Sequence, residues 1–375
     1  MKRSLSVLTS FVIVAGCGSS PPSPAPVVLA PELGTGDHSP ASVVLTPIVG
    51  ADGGLATPRD LAFNPLRPDE LWVVNDGDDS TVIVHDTSTG TPTSERRKDG
   101  YALHFMAKPS SLAFGRDATT IGKPGTFASC EESRNTYDDT KAPNDFMGAT
   151  LWSSDLSVFA MLNPNGLGSH LDMLHESPGC VGIAHEKDNV YWAFGGYKNE
   201  IVRYDFGQDN GIGNDDHSDG KALHYVRGMV KAVPGVPGHT FFRPEDGMLY
   251  VADTGNSRVV MLDTTSGTIG AKVAPKEPMA QDAMMEGATL MELVPNDGTL
   301  QVPSGLEIWK DILFVSDNAT SRITAFALDT GKVLNYLDTG LPAGSLMGMA
   351  FGPDGKLYFV DAKSNQVLRI DPKPR

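Results

Sequence analysis

The chain has 375 residues, a formal net charge of −16 and 40 glycines with 27 prolines. An acidic surface of this kind repels phosphate backbones and anionic headgroups, which excludes nucleic acid as an expected partner. It also supplies ample carboxylates for a hard cation such as calcium.

The first twenty residues read MKRSLSVLTSFVIVAGCGSS. Lys2 and Arg3 precede an apolar run, Leu5 to Ala15, that is too short to span a bilayer as a mature helix. Val14-Ala15-Gly16-Cys17 resembles the lipobox of bacterial lipoproteins, in which the cysteine is acylated and becomes the new N-terminus. That resemblance implies a signal peptide over 1–16 and a lipid on Cys17. With Gly18 after the cysteine, it also implies the outer membrane of a bacterial envelope. SSPPSPAP then fits a Pro-rich, semi-rigid tether, and 17–41 is expected to link lipid to domain. Membrane contact is expected through the lipid alone. Once Cys17 is acylated, Cys130 and Cys180 remain as an even pair in an oxidising compartment, which favours a disulfide between them.

From residue 42 onward the sequence repeats. "PRDLAFNPLRPDELWVVNDGDDSTVIVHDTSTG" starts at Pro58, and "PGHTFFRPEDGMLYVADTGNSRVVMLDTTSG" starts at Pro237. "PSGLEIWKDILFVSDNATSRITAFALDTG" starts at Pro303, and "LMGMAFGPDGKLYFVDAKSNQVLRIDP" starts at Leu346. Two weaker copies begin at Pro109 and Pro178, the first interrupted by an insertion over 131–148. Short, evenly spaced strands with Gly, Pro and Asp turns, and almost no helical periodicity, predict a radial all-β array. Asp253-Thr254-Gly255-Asn256-Ser257-Arg258 resembles the NHL repeat, as does Asp317-Asn318-Ala319-Thr320-Ser321-Arg322. The resemblance implies a six-bladed β-propeller over 42–375, with four strands per blade.

The copy from Leu346 supplies only three strands, so the outermost strand of that blade must come from elsewhere. Ser42–Val49 is otherwise unassigned and predicts the closing strand, paired with Gln366–Ile370. "DGYALHFMAKP" (99–109) and "DGKALHYVRGM" (219–229) echo one another and are read as outer strands, which makes His104 and His224 structural residues.

In a propeller the loops leading into the innermost strands converge with the b–c loops on one face, where ligands bind. "GSHLDMLHESPGC" (168–180) reads as such a loop, carrying His170 and His175; the next brings His217 and His239. Four of the nine histidines thus point to a zinc or copper site on the top face. Asp215, Asp216 and Asp219 form an alternative calcium loop, without the glutamate of an EF-hand. The insertion adds Arg134, Asn135, Tyr137, Asp138 and Asp139 to a ligand-binding rim, and Asp60 belongs to the same face.

The amidating-lyase propeller that cleaves peptidyl-hydroxyglycine has a distantly similar fold and holds its metal with histidines at the inner-strand starts. The matching positions here read Asp60, Ser111, Cys180, His239, Gly305 and Gly348, so a single histidine stands where that chemistry uses three. No Gly-rich phosphate loop, G-x-S-x-G elbow or H-E-x-x-H helix is present, so no nucleotide cofactor is expected. Two functions follow from these residues. One is an envelope-anchored lipoprotein binding a small molecule, peptide, glycan or protein on its top face, with or without a metal. The other is a metal-dependent hydrolase or lyase with a His-ligated ion near the axis.

Overall fold

The computed structural model describes residues 29–120, 123–136 and 142–374. Six sheets stand around an axis, each contributing antiparallel strands a to d from the centre outward. Blade one is Pro58–Asn64, Arg67–Asn75, Ser80–His85 and Thr93–Arg97. Blade two is Pro109–Thr120, Lys123–Glu131, Ala149–Ser153 and His170–Leu174. Blade three is Cys180–Lys187, Val190–Gly195, Glu200–Asp205 and Lys221–Tyr225. Blade four is Thr240–Arg243, Met248–Asp253, Arg258–Asp263 and Leu290–Val294. Blade five is Pro303–Trp309, Ile312–Asp317, Arg322–Ala327 and Val333–Asp338. Blade six is Leu346–Phe351, Leu357–Asp361 and Gln366–Pro372, completed by Val43–Val49 from the N-terminal side.

The closing strand is the one the unfinished sixth copy requires. Val43 pairs with Pro372 and the register runs on to Val49 opposite Val367, so the last blade is completed to four strands. The strand character of each element follows its place in the sheet. Strand b lies between blades, is buried on both faces and is nearly continuously apolar, as in Leu357–Asp361. Strand d of blade one, TSERR, is the outer edge, and its charges discourage pairing with another chain. Between blades one and two, Trp72, Phe127, Trp152 and Phe159 are fully buried, with the Trp72 and Phe127 rings 5.0 Å apart.

The two repeat motifs have a structural explanation. Asp253 accepts hydrogen bonds from the backbone N–H of Lys231 (2.7 Å) and from the side chains of Asn256 and Arg258. Asp317 likewise accepts from the N–H groups of Val302, Ala319 and Thr320. Each aspartate therefore ties its own b–c loop to the segment that leads into a neighbouring strand a. Ser257 and Ser321, next along the motif, adopt left-handed backbone (φ 57° and 53°), which turns the chain into strand c.

Cys130 and Cys180 are joined as a disulfide, with 5.3 Å between their Cα atoms. Strand a of blades one, two, three, five and six opens on the same bulge, in which Cys180 takes the place of Pro58 and Pro109, so Gly182, not Cys180, stands level with Asp60, Ser111, His239, Gly305 and Gly348. The 99–109 echo is also corrected. Strand d of blade one is Thr93–Arg97, and His104 lies in a short helix, Ala102–Phe105, on the way to blade two. His224 is in an outer strand, as expected.

One element has no counterpart in the repeat. Between strands c and d of blade four, Thr268–Lys272 and Gln281–Glu286 form a hairpin. Its second strand pairs in parallel with strand d of blade three, from Lys221 opposite Gln281 to His224 opposite Met284. The sheet of blade three thereby grows to six strands.

Candidate functional site

The hairpin and the histidine-bearing segments meet at the outer rim between blades two and three. His175 follows strand d of blade two directly. His217 comes from the long c–d loop of blade three, residues 206–220, which runs beside that strand; Gly213 N donates to His170 O at 2.8 Å. Glu277 is brought by the turn of the hairpin, His104 by the helix of blade one, and Phe146 by the insertion in blade two. Together with Tyr101, Phe105, Leu167 and Asp215 they enclose a cavity of about 270 Å³.

The hydrogen bonds fix how the rings present themselves. His217 Nδ1 lies 2.8 Å from Asp172 Oδ1, and Asp172 is fully buried in strand d. The carboxylate can only accept, so Nδ1 carries the proton and Nε2 is left as a lone pair. That Nε2 is 3.5 Å from Glu277 Oε2. His175 Nδ1 is 2.7 Å from the same Oε2, and its backbone N–H donates to Glu277 Oε1 at 3.1 Å. On its other side, His175 Nε2 is 3.2 Å from His104 Nε2.

The backbone carbonyl of Thr136, also an acceptor only, draws a proton onto the His104 ring. Facing a carboxylate that can only accept, His175 Nδ1 carries the proton and donates to Glu277, and a metal would take the place of that proton. Two ring nitrogens and one carboxylate oxygen, from His175, His217 and Glu277, converge on one spot, a donor set that a divalent metal takes once it displaces the His175 proton.

Burial keeps the His104 and His175 rings neutral. Burial first, then the neighbouring His175 and His170, lowers His104 to about 3. Burial also lowers His175, against the pull of Glu277. For His217 burial again acts downward, but its bond to Asp172 and the charge of Glu277 more than offset it, and its pKa is raised. Burial lifts the Asp172 carboxyl to about 6, the bond to His217 opposing. The His175 ring is stacked on Phe146, with centroids 3.7 Å apart, which fixes its orientation.

The other residues singled out in the sequence fall elsewhere. His170 begins strand d of blade two instead of lying in a loop. It is fully buried, its Nδ1 is 2.8 Å from Leu167 O, and its ring stacks on Phe105 at 3.6 Å. His239 stands at the axis, its Nε2 2.8 Å from Asp60 Oδ1, away from the rim. The expected grouping of four histidines is thus corrected to His175 and His217, joined by His104 and Glu277.

The calcium loop is not formed. Asp216 accepts from Ser218 N and Asp219 from Gln208 N, each fastening its own loop, while Asp215 lines the rim cavity. Among the described residues, the groups that converge like metal ligands are His175–His217–Glu277 and Glu176–His224–Asp282. In the second, both ring nitrogens of His224 face carboxylates, Glu200 at 3.1 Å and Asp282 at 2.9 Å. Burial lowers its pKa, and the bonds to Asp282 and Glu200 reverse that and raise it. This is an ion-pair network, not a set of free lone pairs.

Arg134 lies over the Tyr197 ring at 3.3 Å and bonds Asp145 at 2.6 Å, lining a separate shallow cavity with Glu132 and Val181. Asn135 is buried and accepts from Asn144 N. Tyr137, Asp138, Asp139 and Cys17 lie outside the described residues. Sequence reasoning missed Glu277, because no repeat position predicts a hairpin between strands c and d. A surplus of some 35 unassigned residues, 268–302, was the only signal of it.

No family model matches the chain, and no curated protein matches it. Solved structures do. A putative phosphatase from Bacteroides thetaiotaomicron superposes with a TM-score of 0.57 at 11% identity, covering 89% of this chain and 79% of that one. An auxiliary nutrient binding protein from Bacteroides ovatus gives 0.52 at 12%, covering 89% and 77%. One from Bacteroides thetaiotaomicron gives 0.52 at 9%, covering 88% and 77%. At such identities the likeness concerns the fold. The chain is therefore a six-bladed β-propeller, the fold its repeats imply, with a histidine–carboxylate cavity at the rim of blades two and three.

Proposed function

We propose that this propeller binds a ligand in the rim cavity, and that His175, His217 and Glu277 hold a divalent transition metal there as its anchor. The observation that carries the reading is the convergence of two ring nitrogens and a carboxylate oxygen, with Asp172 holding the His217 ring in the metal-binding tautomer. The aromatic walls, Tyr101, Phe105 and Phe146, would cover the apolar part of a small molecule whose donor atom completes the coordination. Fold neighbours named as nutrient binding proteins support a binding role for this architecture. Against an axial metal-dependent hydrolase or lyase stands the axis itself, where His239 and His185 line the channel but, among the described residues, no three ligand side chains converge.

The test is elemental analysis of the purified domain, with zinc and copper titrated into metal-free protein. One ion per chain is expected in the wild type, lost in His217→Ala and Glu277→Gln and retained in His170→Ala and His239→Ala. Equal metal content in all five proteins would refute the assignment.

The envelope location belongs to the same proposal. Lys2, Arg3, the apolar run and Val14-Ala15-Gly16-Cys17 support a lipid anchor on Cys17, and the Cys130–Cys180 disulfide suits an oxidising compartment. Cys17→Ala is expected to move the protein from the membrane to the soluble fraction; unchanged membrane association would count against lipidation.

A further inference from the structure

The central channel carries a second, unrelated feature. In register, the residues at one level of strand a are Ala62, Ala113, Ala184, Phe241, Glu307 and Ala350. Five blades place an alanine or a phenylalanine there, and blade five places a carboxylate. One residue further along, toward the a–b turns, stand Phe63, Phe114, His185, Phe242, Ile308 and Phe351, all half-buried, so this end of the channel is open to water. The channel encloses a cavity of about 290 Å³ lined by these side chains other than Ile308.

Among the described residues no lysine, arginine or histidine pairs with Glu307, and no set of three metal-ligating side chains surrounds it. Its environment disfavours charge. Burial raises its carboxyl to about 8, Ile308 N–H opposing and the charge of Asp60 adding to the rise. Asp60 itself is spoken for, accepting from Leu61 N, Ser111 Oγ and Leu112 N beside His239.

We propose that this mouth of the channel binds a small organic ammonium ion, its charge on Glu307 and its hydrocarbon part against Phe63, Phe114, Phe242 and Phe351. A bare metal cation would find, among the described residues, no three ligand side chains converging here. An alkylammonium instead finds a charge-assisted acceptor and a surface that buries its chain. The net charge of −16 favours the approach of cations. Asp60, His239 and His185 are the other titratable groups lining the cavity. Binding of the ammonium to the ionised carboxylate therefore displaces the proton that Glu307 holds at neutral pH.

Calorimetric titration with n-butylammonium chloride at pH 7 tests the proposal, with 1-butanol as the uncharged probe of equal chain length. One-site binding is expected in the wild type, weakened about tenfold or more in Glu307→Gln and absent for 1-butanol. No binding at millimolar concentration, equal binding by Glu307→Gln, or binding of 1-butanol as tight as that of butylammonium would overturn it. Should the variant not fold, carbon-13 NMR of labelled glutamate in the wild type decides. Butylammonium must lower the titration midpoint of Glu307, and an unmoved midpoint contradicts the site. None of these outcomes depends on the rim metal.

Discussion

Asp172 shows how a single side chain decides what the rim can do. It sits mid-strand and fully buried, and a buried carboxylate without a partner would be costly. Its bond to His217 Nδ1 relieves that cost and at the same time turns the Nε2 lone pair toward Glu277. Asp172 is a positioning residue, not a ligand. Asp172→Asn keeps the shape but lets the amide offer an N–H to the ring, which reverses the tautomer. Metal affinity is expected to fall about 10–100-fold while the fold survives; an unchanged zinc dissociation constant would show that the tautomer is not held this way. The sequence alone drew attention to His175 and His217 through their crowding in two loops. It could not separate them from His170 and His239, because that separation depends on a strand boundary and on the distance from the axis.

At the scale of elements, the hairpin between strands c and d of blade four matters most. It completes the cavity with Glu277 and is held to blade three by His224, which lies fully buried between Glu200 and Asp282. The pKa of His224 is raised in the folded state, chiefly because its bonds to Asp282 and Glu200 outweigh burial. A raised folded pKa means that the stabilisation is complete below the unfolded value of about 6.5 and is lost as pH rises through the higher folded value. The hairpin should therefore exchange its amide hydrogens faster, relative to the rest of blade three, above that folded value. His224→Gln should abolish the pH dependence and cost on the order of 3–5 kcal/mol, the typical effect of breaking a buried pair. Hydrogen exchange over Gln281–Glu286 that follows the intrinsic rate alone would contradict this. The blades were legible because each repeats one apolar pattern between the same turn residues. The hairpin occurs once, and its strands are mostly exposed or half-buried, so neither repetition nor periodicity marks it.

For the whole molecule, ring closure sets the geometry on which both sites depend. The unfinished sixth copy made the closing strand visible in the sequence, since a blade of three strands leaves an unpaired edge. Removing residues 1–50 should open the contact of Val43–Val49 with Gln366–Pro372 and lower the unfolding midpoint; an unchanged midpoint would mean that closure lies elsewhere. The rim cavity draws on segments of blades one to four, so it exists only when those blades stand in the closed ring. Its central claim is an ion at a stated place. Anomalous diffraction from crystals soaked in zinc measures that place directly. The account requires one strong peak within about 2.3 Å of a ring nitrogen of His175, His217 Nε2 and a carboxylate oxygen of Glu277. A peak instead beside His239 at the axis or in the Asp215–Asp219 loop, or no peak at the rim, would contradict it.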